Sequence, residues 1–200
     1  TSSAFPQLYL TDIMELNSNF QAAIDKNMKA AVKRLQNFQT SSGGFYYWPG
    51  QYDADDWSST YAGHFLLEAE ANGYTLPAGM IDNWKKYQKK LANAWVYHPK
   101  NYRYYYYNND LQQAYRLYTL ALAKAPELGA MNRLRETAHD LNRGLSNAAK
   151  WRLAAAYALA GQPEVAKEIV MNTPVAVSKY SEMSYSYGSS ERDEAMIIEA

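Results

Sequence analysis

The sequence predicts an all-α domain built from packed helical hairpins, and three observations carry that expectation. Apolar residues recur at steps of three and four over several stretches of ten to twenty residues, the spacing of one face of a helix. Gly, Pro and Asn punctuate the chain where those stretches end. Two later stretches also align with each other, Ala114-Tyr115-Arg116-Leu117-Tyr118-Thr119-Leu120-Ala121-Leu122-Ala123 with Ala149-Lys150-Trp151-Arg152-Leu153-Ala154-Ala155-Ala156-Tyr157-Ala158. A degenerate repeat of two helices with a period of ~35–50 residues means stacked hairpins, either a toroid or a superhelical solenoid.

Taken in order, residues 8–16 read as a short helix. Asn17-Ser18-Asn19 comes after it, and its short polar side chains suit an N-cap. From Phe20 the positions Ile24, Met28, Ala31, Leu35 and Phe38 mark one face of a long helix, which Ser41-Ser42-Gly43-Gly44 ends. An aromatic loop comes next, Phe45-Tyr46-Tyr47-Trp48-Pro49-Gly50, and Trp57, Tyr61, Phe65 and Leu66 then open a helix that runs to Asn72-Gly73. The pattern repeats with Ile81, Trp84, Tyr87, Leu91 and Trp95, a long tyrosine-rich loop, and Leu111, Tyr115, Tyr118 and Leu122, closed by Pro126. A shorter helix is expected over 128–138. An Ala-rich one carries Ala149, Leu153, Ala156, Tyr157 and Ala160 to Gly161-Gln162-Pro163, and another spans 165–171. Residues 173–190 break the pattern and read as an extended excursion, with a last helix opening at Asp193.

Composition narrows the function classes. At 200 residues and 48% hydrophobic, the chain can bury one sizeable core. Twenty basic residues balance twenty acidic ones, which argues against nucleic acid as a partner. No apolar run approaches the ~18–20 residues of a membrane span, so membrane insertion of this segment is not expected. Without cysteine, the sequence offers no disulfide, thiol nucleophile or Cys-ligated metal. No cofactor is expected either. Nineteen tyrosines against five phenylalanines favour surfaces that are half apolar and half hydrogen-bonding, as at an interface. Trp48, Trp57, Tyr104, Tyr105 and Tyr106 are therefore the candidate interaction surface. Thr1 and the apolar run Ala195-Met196-Ile197-Ile198-Glu199-Ala200 make both ends read as cuts through a longer protein.

Groups that could do chemistry are sparse. Asp53-Ala54-Asp55-Asp56 matches the Asp-x-Asp-Asp pattern of cyclases that act on isoprenoids, whose middle Asp is a general acid. A polar loop is the wrong place for a buried proton donor, and Asp55 or Asp56 is expected instead to cap the helix carrying Tyr61. Glu68 and Glu70 could be imagined as a glycosidase pair, but a solvated helix face accounts for both. His64, His98 and His139 lack metal-ligand spacing, with His64 read as packed or partly solvated and His139 as a surface residue beside Asp140. An α/α-toroid enzyme acting on glycans or isoprenoids and a tetratricopeptide-like adaptor remain the alternatives to a scaffold.

The stretch Thr1-Ser2-Ser3-Ala4-Phe5-Pro6-Gln7-Leu8-Tyr9-Leu10 resembles the one that comes after the Cys-x-Glu-Gln thioester motif in bacterial alpha-2-macroglobulin-like proteins. Leu35-Gln36-Asn37-Phe38-Gln39, Gly43-Gly44-Phe45, Tyr47-Trp48-Pro49-Gly50 and Trp57-Ser58-Ser59-Thr60-Tyr61-Ala62-Gly63-His64 resemble that family's helix, Gly-Gly-Phe loop and succeeding helix, in order. Further resemblances lie at Gln113-Ala114-Tyr115, Gly129-Ala130-Met131-Asn132-Arg133-Leu134 and Tyr187-Gly188-Ser189-Ser190-Glu191-Arg192-Asp193. The resemblance implies that residues 1–200 are a fragment of one thioester-type domain, an incomplete α/α toroid with its extended excursion near 173–190. It also implies a non-catalytic scaffold of a protease trap in the bacterial cell envelope, facing the periplasm. Its partners would be proteases, through the full-length protein, and other domains of the same chain. A thioester cysteine, where the parent has one, would fall just before Thr1. In complement-type members a loop histidine assists acyl transfer, and Val96-Tyr97-His98 stands similarly ahead of the helix expected over 111–123, which makes His98 the acyl-transfer candidate.

Overall fold

Asn17 decides where the first long helix begins. Its extended backbone (φ −73°, ψ 163°) lets the side-chain carbonyl accept from the Phe20 N–H, the geometry of an N-cap. The computed structural model describes residues 1–97, 109–139, 144–182 and 188–200, with the backbone alone at 109, 138 and 139. These residues form two compact units, Thr1–Tyr87 and Gln88–Ala200.

In the first unit a 3-10 turn, Phe5–Tyr9, leads into α1, Leu10–Ile13. The single helix expected over 8–16 is thus replaced by two short turns. Neither has a side-chain cap, and the backbone turns extended at Met14, three residues before the Asn17 cap. The next helix, α2, Ser18–Gln36, buries Ile24, Met28 and Val32 as one stripe at four-residue spacing. It stops short of the Ser-Gly cluster, because Gln39 pairs in an isolated bridge with Phe45, which in turn bridges Asp55. Phe45 is 1% exposed, and burying it draws both flanks of the loop together.

The third helix, α3, Asp56–Ala71, is buried around most of its girth, through Ser59, Thr60, Ala62, Gly63, His64, Phe65, Leu66 and Ala69. Helix α4, Met80–Ala94, begins in the first unit, with Met80 and Trp84 buried, and continues into the second, with Gln88 and Ala92 buried. Trp84 fixes the contact of α4 with α3: its indole N–H donates to the Ser59 carbonyl at 2.8 Å. A Cβ built on Gly63 would lie 2.0 Å from Trp84 Cε2, so only glycine lets the ring lie on the α3 backbone.

The second unit is organised by α5, Asn109–Leu122, and α7, Asn147–Leu159, the two stretches that align in sequence. They pack on each other, with α6, Leu128–His139, against both, and α8, Pro163–Val170, and α9, Ser190–Glu199, against α7. Leu117, Leu120, Leu153 and Ala156 are fully buried here. Helix α7 ends at Gly161 (φ 77°), where the Gln162 N–H reaches back to the Tyr157 carbonyl. The same closure ends α5, with Ala125 N–H on the Leu120 carbonyl, but there the left-handed position is held by Lys124 (φ 56°).

Among the described residues there is no sheet. Of the excursion expected over 173–190, the described residues 173–182 and 188–189 are not helical, Ser181 and Ser189 meet in an isolated bridge, and α9 opens at Ser190, ahead of Asp193, because Ser189 caps it. No described helix is long and apolar enough to cross a membrane.

Candidate functional site

The aromatic loop between α2 and α3 is held at both ends and at its centre. The Tyr46 N–H donates to the Phe38 carbonyl (3.0 Å), and the Asp55 N–H to the Phe45 carbonyl (2.9 Å). Ser59 completes the anchor from within α3: its hydroxyl oxygen accepts the Phe45 N–H at 2.7 Å and lies 3.3 Å from the Phe45 carbonyl. At the tip, Gln51 Oε1 accepts from both the Tyr47 and Trp48 N–H groups (3.1 and 2.9 Å). The Tyr47 and Trp48 rings meet edge to face with centroids 5.1 Å apart.

The result is a rigid turn that displays Trp48 at 61% exposure and Tyr52 at 94%. Trp57, a second expected member of this surface, is half-buried in the first turn of α3. Tyr104, Tyr105, Tyr106 and His98 lie outside the described residues, as does the side chain of His139.

The Asp-x-Asp-Asp run resolves into separate tasks. Asp55 caps α3 by accepting the Ser58 N–H at 2.7 Å, as expected. Asp56 accepts from the Tyr87 hydroxyl at 3.1 Å, and Asp53 is exposed. None of these arrangements holds a carboxyl ready to protonate a buried alkene.

Glu68 departs from the expected solvated face. It is half-buried, its Oε2 accepts from the Tyr9 hydroxyl at 2.9 Å, and the Nε2 of His64, 3% exposed, stands 3.7 Å from its Oε1. The His64 imidazole, helped by the Tyr9 hydroxyl against the opposing effect of burial, holds the Glu68 carboxyl below its usual range. Phe5 closes this cluster, edge-on to both His64 and Phe65 at 5.1 and 5.7 Å between centroids. The arrangement pins the N-terminal turn to α3. Glu70, two residues on, is exposed and does not converge with Glu68, since i and i+2 face different sides of a helix.

Sequence reasoning passed over the buried charges of the second unit. Arg116, 3% exposed, donates through Nε to Gln88 Oε1 and through Nη1 to Gln113 Oε1, at 2.9 and 2.7 Å. Arg152, 1% exposed, pairs with Glu199 while its guanidinium lies over the Tyr118 and Tyr115 rings, at 4.5 and 5.5 Å from their centroids. Near the chain's end, Arg192 Nε and Nη2 donate to Asp193 Oδ1, whose Oδ2 accepts from the Tyr180 hydroxyl at 2.6 Å. Burial and the bond to Asp193 push the Tyr180 phenol far above its usual range. A Cβ on Gly188 would lie 2.8 Å from that hydroxyl and 2.9 Å from Arg192 Nη2, so the Gly188-Ser189-Ser190-Glu191-Arg192-Asp193 run reads as clearance, cap and clamp in sequence. The only trace of this in the sequence was the resemblance at those residues.

Among the described residues no group of three or more His, Cys, Asp or Glu side chains could hold a metal ion. No family model matches the chain. It is 25% identical to alpha-2-macroglobulin of Escherichia coli over 206 aligned positions, covering 98% of the chain and 12% of that protein. To an alpha-2-macroglobulin homolog of Nostoc sp. it is 38% identical over 93 residues, 46% of the chain and 5% of that protein. The chain thus spans only a small part of the curated relatives it matches.

Solved structures agree. Native E. coli alpha-2-macroglobulin, from domain MG7 to the C-terminus, matches 98% of the chain with a TM-score of 0.76 at 23% identity, and the chain covers 32% of that structure. Salmonella alpha-2-macroglobulin reacted with methylamine gives 0.75 at 24% identity, with 13% of it covered. The E. coli protein activated by porcine elastase gives 0.73 at 23%, with 18% covered. The sequence is thus similar to bacterial alpha-2-macroglobulin nearly end to end, and over the same span the fold matches a segment of that protein's C-terminal region.

Proposed function

We propose that this chain is a non-catalytic scaffold and interaction segment of a bacterial protease trap, working within a longer polypeptide in the cell envelope and facing the periplasm. The observation that carries this reading is the match to E. coli alpha-2-macroglobulin over 98% of the chain, together with that protein's structure as activated by elastase. The thioester-type domain and its α/α toroid are part of the same reading. They are supported by the alternation of helices buried on one stripe, such as α2, with helices buried almost all round, such as α3 and α7, as the outer and inner layers of hairpins require.

A chain without cysteine supplies no thioester, so any acyl donor of the trap sits on another segment of the polypeptide. The Salmonella relative reacted with methylamine, a small amine nucleophile, is consistent with an acyl electrophile in that protein. His98 would relay the acyl group to a hydroxyl acceptor. Its replacement by alanine in the full-length protein should lower covalent coupling to hydroxyl acceptors, and unchanged coupling removes it from that role.

The test of the trap is size exclusion by enclosure. The full-length protein is incubated with elastase or trypsin, and residual proteolysis is read on a macromolecular substrate and on a small peptide ester. Loss of the first with retention of the second is expected. Equal loss of both, or of neither, overturns the proposal.

A further inference from the structure

The distribution of charge along the chain is uneven in a way the zero net charge conceals. From residue 35 to residue 84 there is no lysine or arginine, while Asp53, Asp55, Asp56, Glu68, Glu70 and Asp82 supply six carboxylates. Three of the six stand at the end of the aromatic loop, within four residues of Tyr52. Two are committed locally, Asp55 to the Ser58 N–H and Asp56 to the Tyr87 hydroxyl, but hydrogen bonding does not cancel their charge. Asp53 remains exposed beside the 94%-exposed Tyr52.

We propose that this loop, residues 45–56, is the contact surface for a protein segment that presents lysine or arginine side chains. The proposal rests on reading the chain as an interaction segment and names the chemistry of its partner. Exposed indole and phenol rings attract cations over their faces, and an adjacent carboxylate adds a direct ion pair. The turn is already held through Gln51 and Ser59, so little conformational freedom is lost on contact, and Trp, Tyr and Arg are the residues that dominate contact energies. A glycan fits less well. Flat sugar faces need several free planar hydrogen-bonding groups flanking the ring, and here the Gln51 side-chain oxygen, Asp55 and Asp56 are already engaged within the fold, which leaves Asp53.

The experiment tracks the indole N–H resonance of Trp48, assigned through Trp48→Phe, as the protein is titrated with three probes. These are an acetylated and amidated Arg-Gly-Arg-Gly-Arg peptide, its glutamate counterpart and maltohexaose, at about 20 mM salt and again at about 300 mM. The basic peptide should move the resonance saturably at low salt and much less at high salt, while the acidic peptide does nothing. Trp48→Ala and Asp53→Asn, both at exposed positions and so expected to melt like the parent, should each weaken binding about five-fold or more. A Trp48 resonance unmoved by the basic peptide, or an undiminished affinity in Asp53→Asn, overturns the proposal. A response to maltohexaose alone overturns it too, leaving the loop a contact surface for a different partner. The enclosure assay reads the trap itself, so the two readings fail separately.

Discussion

Gly63→Ala makes two physical effects predict opposite signs. Gly63 lies within α3, where alanine is worth about 0.5–1 kcal/mol more than glycine through helix propensity alone. The added Cβ, however, would stand 2.0, 2.2 and 2.3 Å from Trp84 Cε2, Nε1 and Cζ2. Trp84 is fully buried and tied by its N–H to Ser59, so the ring cannot simply swing aside. Overpacking of this kind costs about 1–3 kcal/mol, and displacement of the indole loses a further ~1 kcal/mol of hydrogen bonding. The net expectation is a destabilisation of about 1–3.5 kcal/mol, centred near 2 kcal/mol. With a urea m-value of about 2–3 kcal/mol/M for a protein of this size, the midpoint should fall by about 1 M. Trp84→Phe should reduce the penalty of Gly63→Ala, because the smaller ring leaves room for the methyl, and a double-mutant cycle would read the coupling. A Gly63→Ala protein as stable as the parent, or more so, would refute this packing of α4 on α3.

Four further outcomes are expected. Asp55→Ala removes the cap of α3 and should cost about 1 kcal/mol in thermal or urea denaturation. Lys124→Gly relieves a left-handed residue at the end of α5 and should stabilise by about 1 kcal/mol, raising Tm by about 2–4 °C. Glu199→Ala should cost more than Arg152→Met, because the first strands a buried guanidinium whose Nε and Nη1 have no hydrogen-bond partner among the described residues, whereas the second leaves a half-exposed carboxylate to water. For Glu68, the folded carboxyl titrates below its usual 4.5, so its stabilising contribution is full above that pH and is lost as pH falls through the lower, folded value. The gap in melting temperature between the parent and Glu68→Gln should therefore shrink between neutral pH and strongly acid pH, and a constant gap would show that Glu68 carries no linked proton.

Local interactions are legible in the sequence. The Asn17 and Asp55 caps, the stripe Ile24, Met28 and the glycine stop at Gly161 involve residues within a few positions of each other, and their spacing declares them. What sequence reasoning misses depends on distance along the chain. Glu68 looks like any exposed helical carboxylate until Tyr9, 59 residues away, reaches it. Arg152 sits in an Ala-rich helix, where a charge is expected to face water, and only the Tyr115 and Tyr118 rings with Glu199 from α9 make a buried position tolerable. The early end of α2 has the same origin, since the bridge between Gln39 and Phe45 competes with one more helical turn and wins by burying the Phe45 ring. The expectation that touches function most, an exposed aromatic loop, is readable at Trp48 because Pro49-Gly50 forces a turn there.

Ser59 gives that loop a property beyond display. One hydroxyl inside α3 holds both backbone groups of Phe45, so the base of the turn carrying Trp48 is tied directly to α3. Its exposed indole is a pointer fixed to a buried axle. Any rotation or shift of α3, a helix that otherwise shows almost nothing to solvent, would be written into the environment of a ring at the surface, where light can read it.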